Sequence, residues 1–239
     1  MAEHPLIPGG VIFALLDTNA LIPPRLSDVL FDLACKRLYF PRWTQKIEEE
    51  FIENWAEVIA GVARATRRTR KASNIAPMPE HVAGARNRLS KYRAAVGRND
   101  WEVIGYDDKD VTDRVPKEVD AGDVHLAAAC LVISDSLSEE AGSHRVLLIS
   151  NNVKHLAAPA LGRLGVEVFT PGDFIDLMCL AQPSLVEESL CKTVEDLNDY
   201  SKEKLLTDLS LHKANKTVAL FENKWHIKIR TASAPSVGP

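Results

Sequence analysis

Asp17 follows directly on six apolar residues, Val11-Ile12-Phe13-Ala14-Leu15-Leu16. So apolar a run reads as a parallel strand covered on both faces. In parallel α/β sheets, functional groups collect beyond the carboxyl ends of such strands. Ser150-Asn151-Asn152 stands at the end of a second run that begins at Arg145. Asp120 and Asp123 fall in the first turn of an alanine-rich, apolar helix reaching Ile133, where the helix dipole favours negative charge. Glu50 lies beside the buried stripe of an amphipathic helix, while Glu48, Glu49 and Glu53 point further from that stripe. Each acid alone has a bland explanation, because helix starts and stripe boundaries are often acidic. Together they form an oxygen-rich set of the kind hard cations such as Mg²⁺ take. One or two carboxylates usually bind such an ion directly, and waters and substrate phosphates complete the octahedron.

The elements that must carry these residues alternate. After the strand ending at Leu16 comes a helical stretch from about Ser27 to Lys36, with Ser27 as N-cap, then a short strand Leu38-Tyr39-Phe40. From Thr44 onward, apolar residues recur at Ile47, Phe51, Trp55 and Val58/Ile59, which makes one buried helical stripe. Two basic helices broken near Ile75 to Pro79 follow, and Trp101 to Ile104 reads as a third strand. Asp120 or Ala121 opens the alanine-rich helix. The series closes with the strand Arg145–Ser150, a helical stretch Leu156–Leu164 and the strand Val166–Phe169. This alternation predicts an α/β fold with a mostly parallel sheet flanked by helices. Beyond Gln182-Pro183 the pattern is purely helical up to about Trp225, and Thr231–Pro239 is a Ser/Ala/Pro-rich tail read as disordered. The expected division is therefore 1–182 for the catalytic unit, 183–230 for a helical extension and 231–239 for the tail. Covering the sheet, pairing copies into a homodimer and meeting a partner are three open uses for the extension.

Composition narrows the class. The 239 residues are 46% hydrophobic, enough for one good core, and no apolar run approaches the ~20 residues of a membrane span. The N-terminus lacks a basic region leading into an apolar stretch, so the expected location is cytoplasmic. Four cysteines, Cys35, Cys130, Cys179 and Cys191, are scattered without metal spacing and read as buried free thiols. The net charge of −4 hides a strong asymmetry. Arg64 to Arg98 contains ten Lys/Arg against the single acid Glu80, a balance of +9, so the remainder carries −13. Within that segment Arg64, Arg67, Arg68, Arg70 and Lys71 are candidates for contacting an RNA backbone, set against the commoner alternative of a solvated helix face.

Four of these stretches, taken in order, resemble one family. Leu15-Leu16-Asp17-Thr18-Asn19-Ala20-Leu21 is similar to the opening motif of PIN-domain nucleases. Trp43-Thr44-Gln45-Lys46-Ile47-Glu48-Glu49-Glu50-Phe51 resembles the second, a Ser/Thr-capped helix with an acid six residues on. That register selects Glu50, with Glu49 as the fallback. Asp120-Ala121-Gly122-Asp123-Val124-His125-Leu126-Ala127-Ala128-Ala129 resembles the third, and Leu147-Leu148-Ile149-Ser150-Asn151-Asn152-Val153-Lys154-His155-Leu156 the fourth. The match spans about Val11 to Phe174. It implies a Rossmann-like sheet and Mg²⁺- or Mn²⁺-dependent endonucleolytic hydrolysis of RNA. Many bacterial members are ribonuclease toxins of toxin–antitoxin pairs, which makes RNA the expected substrate and an antitoxin protein an expected partner. Asp17, Asp123 and Glu50 are then the metal-site acids, Glu50 as ligand or as the residue orienting the attacking water. Asp120 is a further catalytic acid, a ligand or a hydrogen-bond partner to one. Asn19, Ser150 and Asn152 are supporting residues. One departure stands out: the fourth motif often has an acid where this chain has Asn152, and His155 falls where some members have Asp. That difference favours one ion over two.

His125, two residues beyond Asp123, is expected on the opposite helix face as a packing or surface residue. An aspartyl-nucleophile phosphatase is the nearest enzymatic rival, but its second Asp would fall at Asn19. A rival of another kind is a catalytically weak or inactive scaffold of the same fold, binding RNA or protein.

Overall fold

A computed structural model describes residues 10–59, 79–97, 100–138 and 143–229. Four strands, β1 (Val11–Leu16), β2 (Phe40–Arg42), β3 (His144–Ile149) and β4 (Val166–Phe169), form one sheet in the order β2-β1-β3-β4. Every pairing in it is parallel. β1 is central, and Ala14, Leu15 and Leu16 are fully buried, as a run without polar residues requires. The register pairs Leu16 with Ile149, and the Asp17 amide donates to the Ile149 carbonyl at 3.0 Å. Asp17 and Ser150 therefore leave the sheet side by side.

Helices fill the connections. α1 (Thr18–Leu21) and α2 (Pro24–Cys35) join β1 to β2, and α3 (Gln45–Ile59), α4 (Pro79–Val96), α5 (Lys109–Thr112) and α6 (Val124–Ser138) lie between β2 and β3. α7 (Ala158–Gly162) precedes β4, and α8 (Pro171–Ala181) follows it. Ile47, Phe51 and Trp55 bury the stripe of α3, and the Thr44 hydroxyl accepts from the Ile47 amide at 3.2 Å to cap its start. In α6 every residue from Leu126 to Leu131 is buried, and the helix packs on β1, β3 and β4. After α8 come α9 (Pro183–Glu195), α10 (Lys202–Leu211) and α11 (Asn215–Trp225). They rest chiefly on α2 and α8, and Val186, Leu190, Leu206 and Phe221 enter the same core as the strands. Buried Asp176 of α8 accepts the Lys216 and Thr217 amides and the Thr217 hydroxyl at 3.0, 2.7 and 2.7 Å, tying the first turn of α11 to α8.

Several elements differ from expectation for identifiable reasons. Ser27 is inside α2, with its hydroxyl donating back to the Pro23 and Pro24 carbonyls. Pro24 starts the helix instead, because its fixed φ suits that position and no amide is needed there. The second strand begins at Phe40 rather than Leu38. It tolerates Pro41 because β2 is an edge. Trp101 to Val103 makes a single parallel bridge to Trp43 and not a strand, and α5 has no counterpart in the sequence reading. α6 starts at Val124, which leaves Asp120 and Asp123 in the turn before it. The stretch after Asn152 divides into a one-turn 3-10 helix, Val153–His155, and the short α7. All four cysteines are free, but only Cys130 and Cys179 are buried; Cys35 is exposed and Cys191 half-buried. The second basic helix is α4. The first, with the break after it, and the tail 231–239 lie outside the described residues.

Candidate functional site

Buried Ser150 is the knot between the two central strand ends. Its hydroxyl donates to Asp17 Oδ2 at 2.6 Å and accepts from Asn19 Nδ2 at 3.1 Å and from the Asn152 amide at 2.9 Å. Asn19 also donates to Asp17 Oδ2, and its own side-chain oxygen accepts the Asn151 amide at 2.7 Å. Asp17 is 5% exposed. Its carboxylate is thus fixed by Asn19 and Ser150, donors from the two strand ends.

Glu50 comes from α3. Its Oε2 accepts the Thr18 hydroxyl at 2.9 Å, and its Oε1 stands 3.6 Å from His125 Nε2. The helix register therefore turns Glu50 toward Asp17. Glu49 is on the outside, where Gln45 reaches it at 3.1 Å. Glu48, expected to point away from the core, is buried instead: Trp43 Nε1 donates to it at 2.9 Å and Arg93 pairs with it. His125 is not on the far side of α6. Asp123 precedes the helix, so helical spacing does not relate the two, and the imidazole packs against Glu50.

Asp123 and Asp120 sit in the turn before α6, beside the segment leaving β3. Asn152 Nδ2 donates to Asp123 Oδ2 at 3.1 Å. Asp120 is turned outward: its carboxylate meets His155 Nδ1, its amide donates to the His155 carbonyl at 3.0 Å, and its side chain is 57% exposed. The fold therefore brings Asp17, Glu50, Asp123 and Asn152 together and leaves Asp120 at the rim. Thr18, His125 and His155 escaped the sequence reading as partners of these acids. Thr18 stands inside the opening motif, and both histidines stand inside quoted motifs, but only the folded chain shows what each touches.

The electrostatics of the cluster are unfavourable as it stands. Burial is the main cause that pushes the Asp17 carboxyl up to about 6, with Asp123 and Glu50 adding repulsion and the Ser150 hydrogen bond opposing. Burial also raises Asp123, nearby His155 pulls it back, and Asp120 and Glu50 add to the rise. A cation among these oxygens would remove that penalty. Among the described residues, however, no three His, Cys, Asp or Glu side chains form a group that could hold a metal ion. An ion here would be held by one or two carboxylates, with waters completing its shell.

The proposed RNA-contacting residues Arg64, Arg67, Arg68, Arg70 and Lys71 lie outside the described residues. Two other cations of the same segment are taken up by the fold. Arg88 pairs with Asp28 and donates to the Pro24 carbonyl at 2.8 Å, and Arg93 holds Glu48. No helix among the described residues is long and apolar enough to cross a membrane. Comparison of the chain with protein-family models, curated proteins and solved structures gave no match.

Proposed function

We propose that this chain is a metal-dependent endoribonuclease of the PIN type, using Asp17, Glu50 and Asp123 to hydrolyse RNA phosphodiester bonds. The observation that carries the reading is the set of mutually repelling carboxylates gathered beyond the carboxyl ends of two central parallel strands, one of them raised to about 6. A bound Mg²⁺ or Mn²⁺ supplies charge neutralisation for an in-line displacement at phosphorus. Asp17, immobilised by Ser150 and Asn19, and Asp123, held by Asn152, are the residues that would hold the ion. Glu50, with one oxygen on Thr18 and the other 3.6 Å from His125 Nε2, is the residue that would orient the attacking water and accept its proton. Asp120, at the rim, acts on Asp123 through space and on His155 by direct contact. In its narrower form the reading makes the protein the toxin of a bacterial toxin–antitoxin pair, neutralised by a cognate antitoxin.

The deciding experiment incubates purified protein with mixed RNA, with Mg²⁺, with Mn²⁺ and with chelator. Cleavage that needs the metal and vanishes in folded Asp17→Asn and Asp123→Asn proteins is the expected outcome. Full activity in either folded variant would remove the assignment. No cleavage under any metal would leave the scaffold reading, which the amide at Asn152 in place of an acid supports.

A further inference from the structure

The acids gather where β1 ends, and the chain places a lysine on each outer side of them. β1 lies between β2 and β3, and Asp17 leaves it directly. Lys46 comes four residues after β2, in the first turn of α3. Lys154 comes five residues after β3, in the one-turn 3-10 helix Val153–His155. Lys46 and Glu50 are one helical turn apart and so share a face of α3. Burial lowers the proton affinity of His125, Glu50 opposes this, and Lys46 adds to it, so the ammonium stands on the site's side of the helix. Lys154 stands between Asn152, which donates to Asp123, and His155, which meets Asp120.

Neither lysine has an ion-pair partner among the described residues. Glu50 is four residues on from Lys46, yet its two oxygens go to Thr18 and toward His125. Arg42, the other cation at the end of β2, is already engaged: its guanidinium lies over the Phe13 ring at 5.0 Å. Adjacent strands are about 4.8 Å apart, so the two outer sides are separated by roughly 10 Å, with the acids between them. A lone terminal phosphate would occupy only the middle of that row. A strand whose phosphates continue on both sides of the bond being cut would occupy all of it. We propose that Lys46 and Lys154 hold the phosphates flanking the scissile one, so that the site takes the interior of a nucleic-acid strand. The inference rests on the nuclease reading above. Lysine suits these places because its ammonium meets phosphate as a point charge on a flexible stem, without the fixed fork of arginine. The two cations also offset the repulsion between the acids and the substrate.

Fluorescence anisotropy of a labelled single-stranded RNA of about ten nucleotides, recorded against salt, tests this by binding alone. Every protein in the series carries Glu50→Gln, so that the RNA survives in Mg²⁺. Lys46→Gln and Lys154→Gln should each flatten the log–log salt slope by about 0.7, and the two together by about 1.4. Lys46→Arg keeps the charge and should keep the slope. Lys204→Gln, on α10, should leave it unchanged as well. Uridine 5′-monophosphate has no flanking phosphate, and by calorimetry it should bind all of these proteins equally. An unchanged slope in either lysine variant would overturn the two-sided arrangement. So would an equal fall in Lys204→Gln, or an equal loss for the monophosphate. Metal-dependent cleavage by the wild type in any such case would leave the nuclease reading standing. A wild type that neither binds this RNA nor cleaves it would overturn both.

Discussion

Asn152 donates its side-chain amide to Asp123 Oδ2 across 3.1 Å, so the residue that departs from the PIN-domain motif the sequence resembles grips a carboxylate instead of adding one. Asn152→Asp replaces that donor with a second negative charge at hydrogen-bond distance. The metal-free variant should melt lower than wild type, because two buried-edge carboxylates then oppose each other. It should also bind Mn²⁺ more tightly and regain stability as the ion is added. A variant that melts like wild type and titrates with unchanged affinity would show that Asn152 has no bearing on the site.

Asp17 makes stability depend on pH in a defined direction. Its folded-state value, about 6, is above its ordinary 3.8, chiefly through burial. The folded protein thus holds this proton more tightly than the unfolded chain. The resulting stability is fully present below about pH 4 and is lost as pH rises through 6. At about 1.4 kcal/mol per unit, the loss is on the order of 3 kcal/mol. Metal-free wild type should therefore fall behind Asp17→Asn in melting temperature between pH 4 and 7. A pH-independent difference between the two would contradict the shift.

The register of α3 separates neighbouring acids. Glu50→Gln should reduce cleavage by at least a hundredfold, the scale of losing a group that accepts a proton in the reaction. Glu49→Gln, on the outer face with Gln45, should cleave at nearly the wild-type rate. The reverse pattern would move the functional acid by one residue.

The reading of Arg67, Arg68 and Arg70 as contacts to an RNA backbone makes a prediction about salt. Reversing Arg67, Arg68 and Arg70 together should flatten the log–log salt dependence of RNA binding by roughly two, at ~0.7 per phosphate contact on single strands. An unchanged slope would assign these residues to a solvated helix face.

Gly172 tests the seam between α8 and the chain entering α11. A methyl group there would run into the His212 carbonyl oxygen and lie 2.7 Å from the Lys213 carbonyl carbon and 2.8 Å from the Ala214 amide nitrogen, all of them backbone. Gly172→Ala should cost about 1–3 kcal/mol, read as a melting temperature lower by several degrees. An unshifted transition would mean that the two backbones are further apart than described.

The legibility of this fold follows from where each strand lies. β1 was readable to the residue because six apolar residues in a row mark a strand covered on both faces, and β4 because Val166, Val168 and Phe169 are β-formers even with the exposed Glu167 among them. β2 was misplaced because Leu38 and Tyr39 are buried in a turn, while the ladder takes Phe40, Pro41 and Arg42, residues that only an edge accepts. In the candidate site, position beyond β1 pointed to Asp17, whereas Glu50, with Glu49 as fallback, and Asp123 were selected by the resemblance to PIN-domain motifs. The partners of those acids were hidden because they are long-range. Thr18 and Glu50 are 32 positions apart, and Asp120 and His155 are 35. No local pattern encodes such pairs; the sheet register and helix packing create them.

The Ser150–Asp17 hydrogen bond joins residues 133 positions apart, and β1 has no β3 to pair with until His144 and its successors exist. Closing so long a loop is slow, and it cannot begin before the second strand is available. At ribosomal speeds of 5–20 residues per second, Asp17 spends on the order of ten seconds without Ser150. During that interval the growing polypeptide carries the acid but not the arrangement that gives it a use. Whatever these carboxylates do, they begin doing it only after most of the chain has been made.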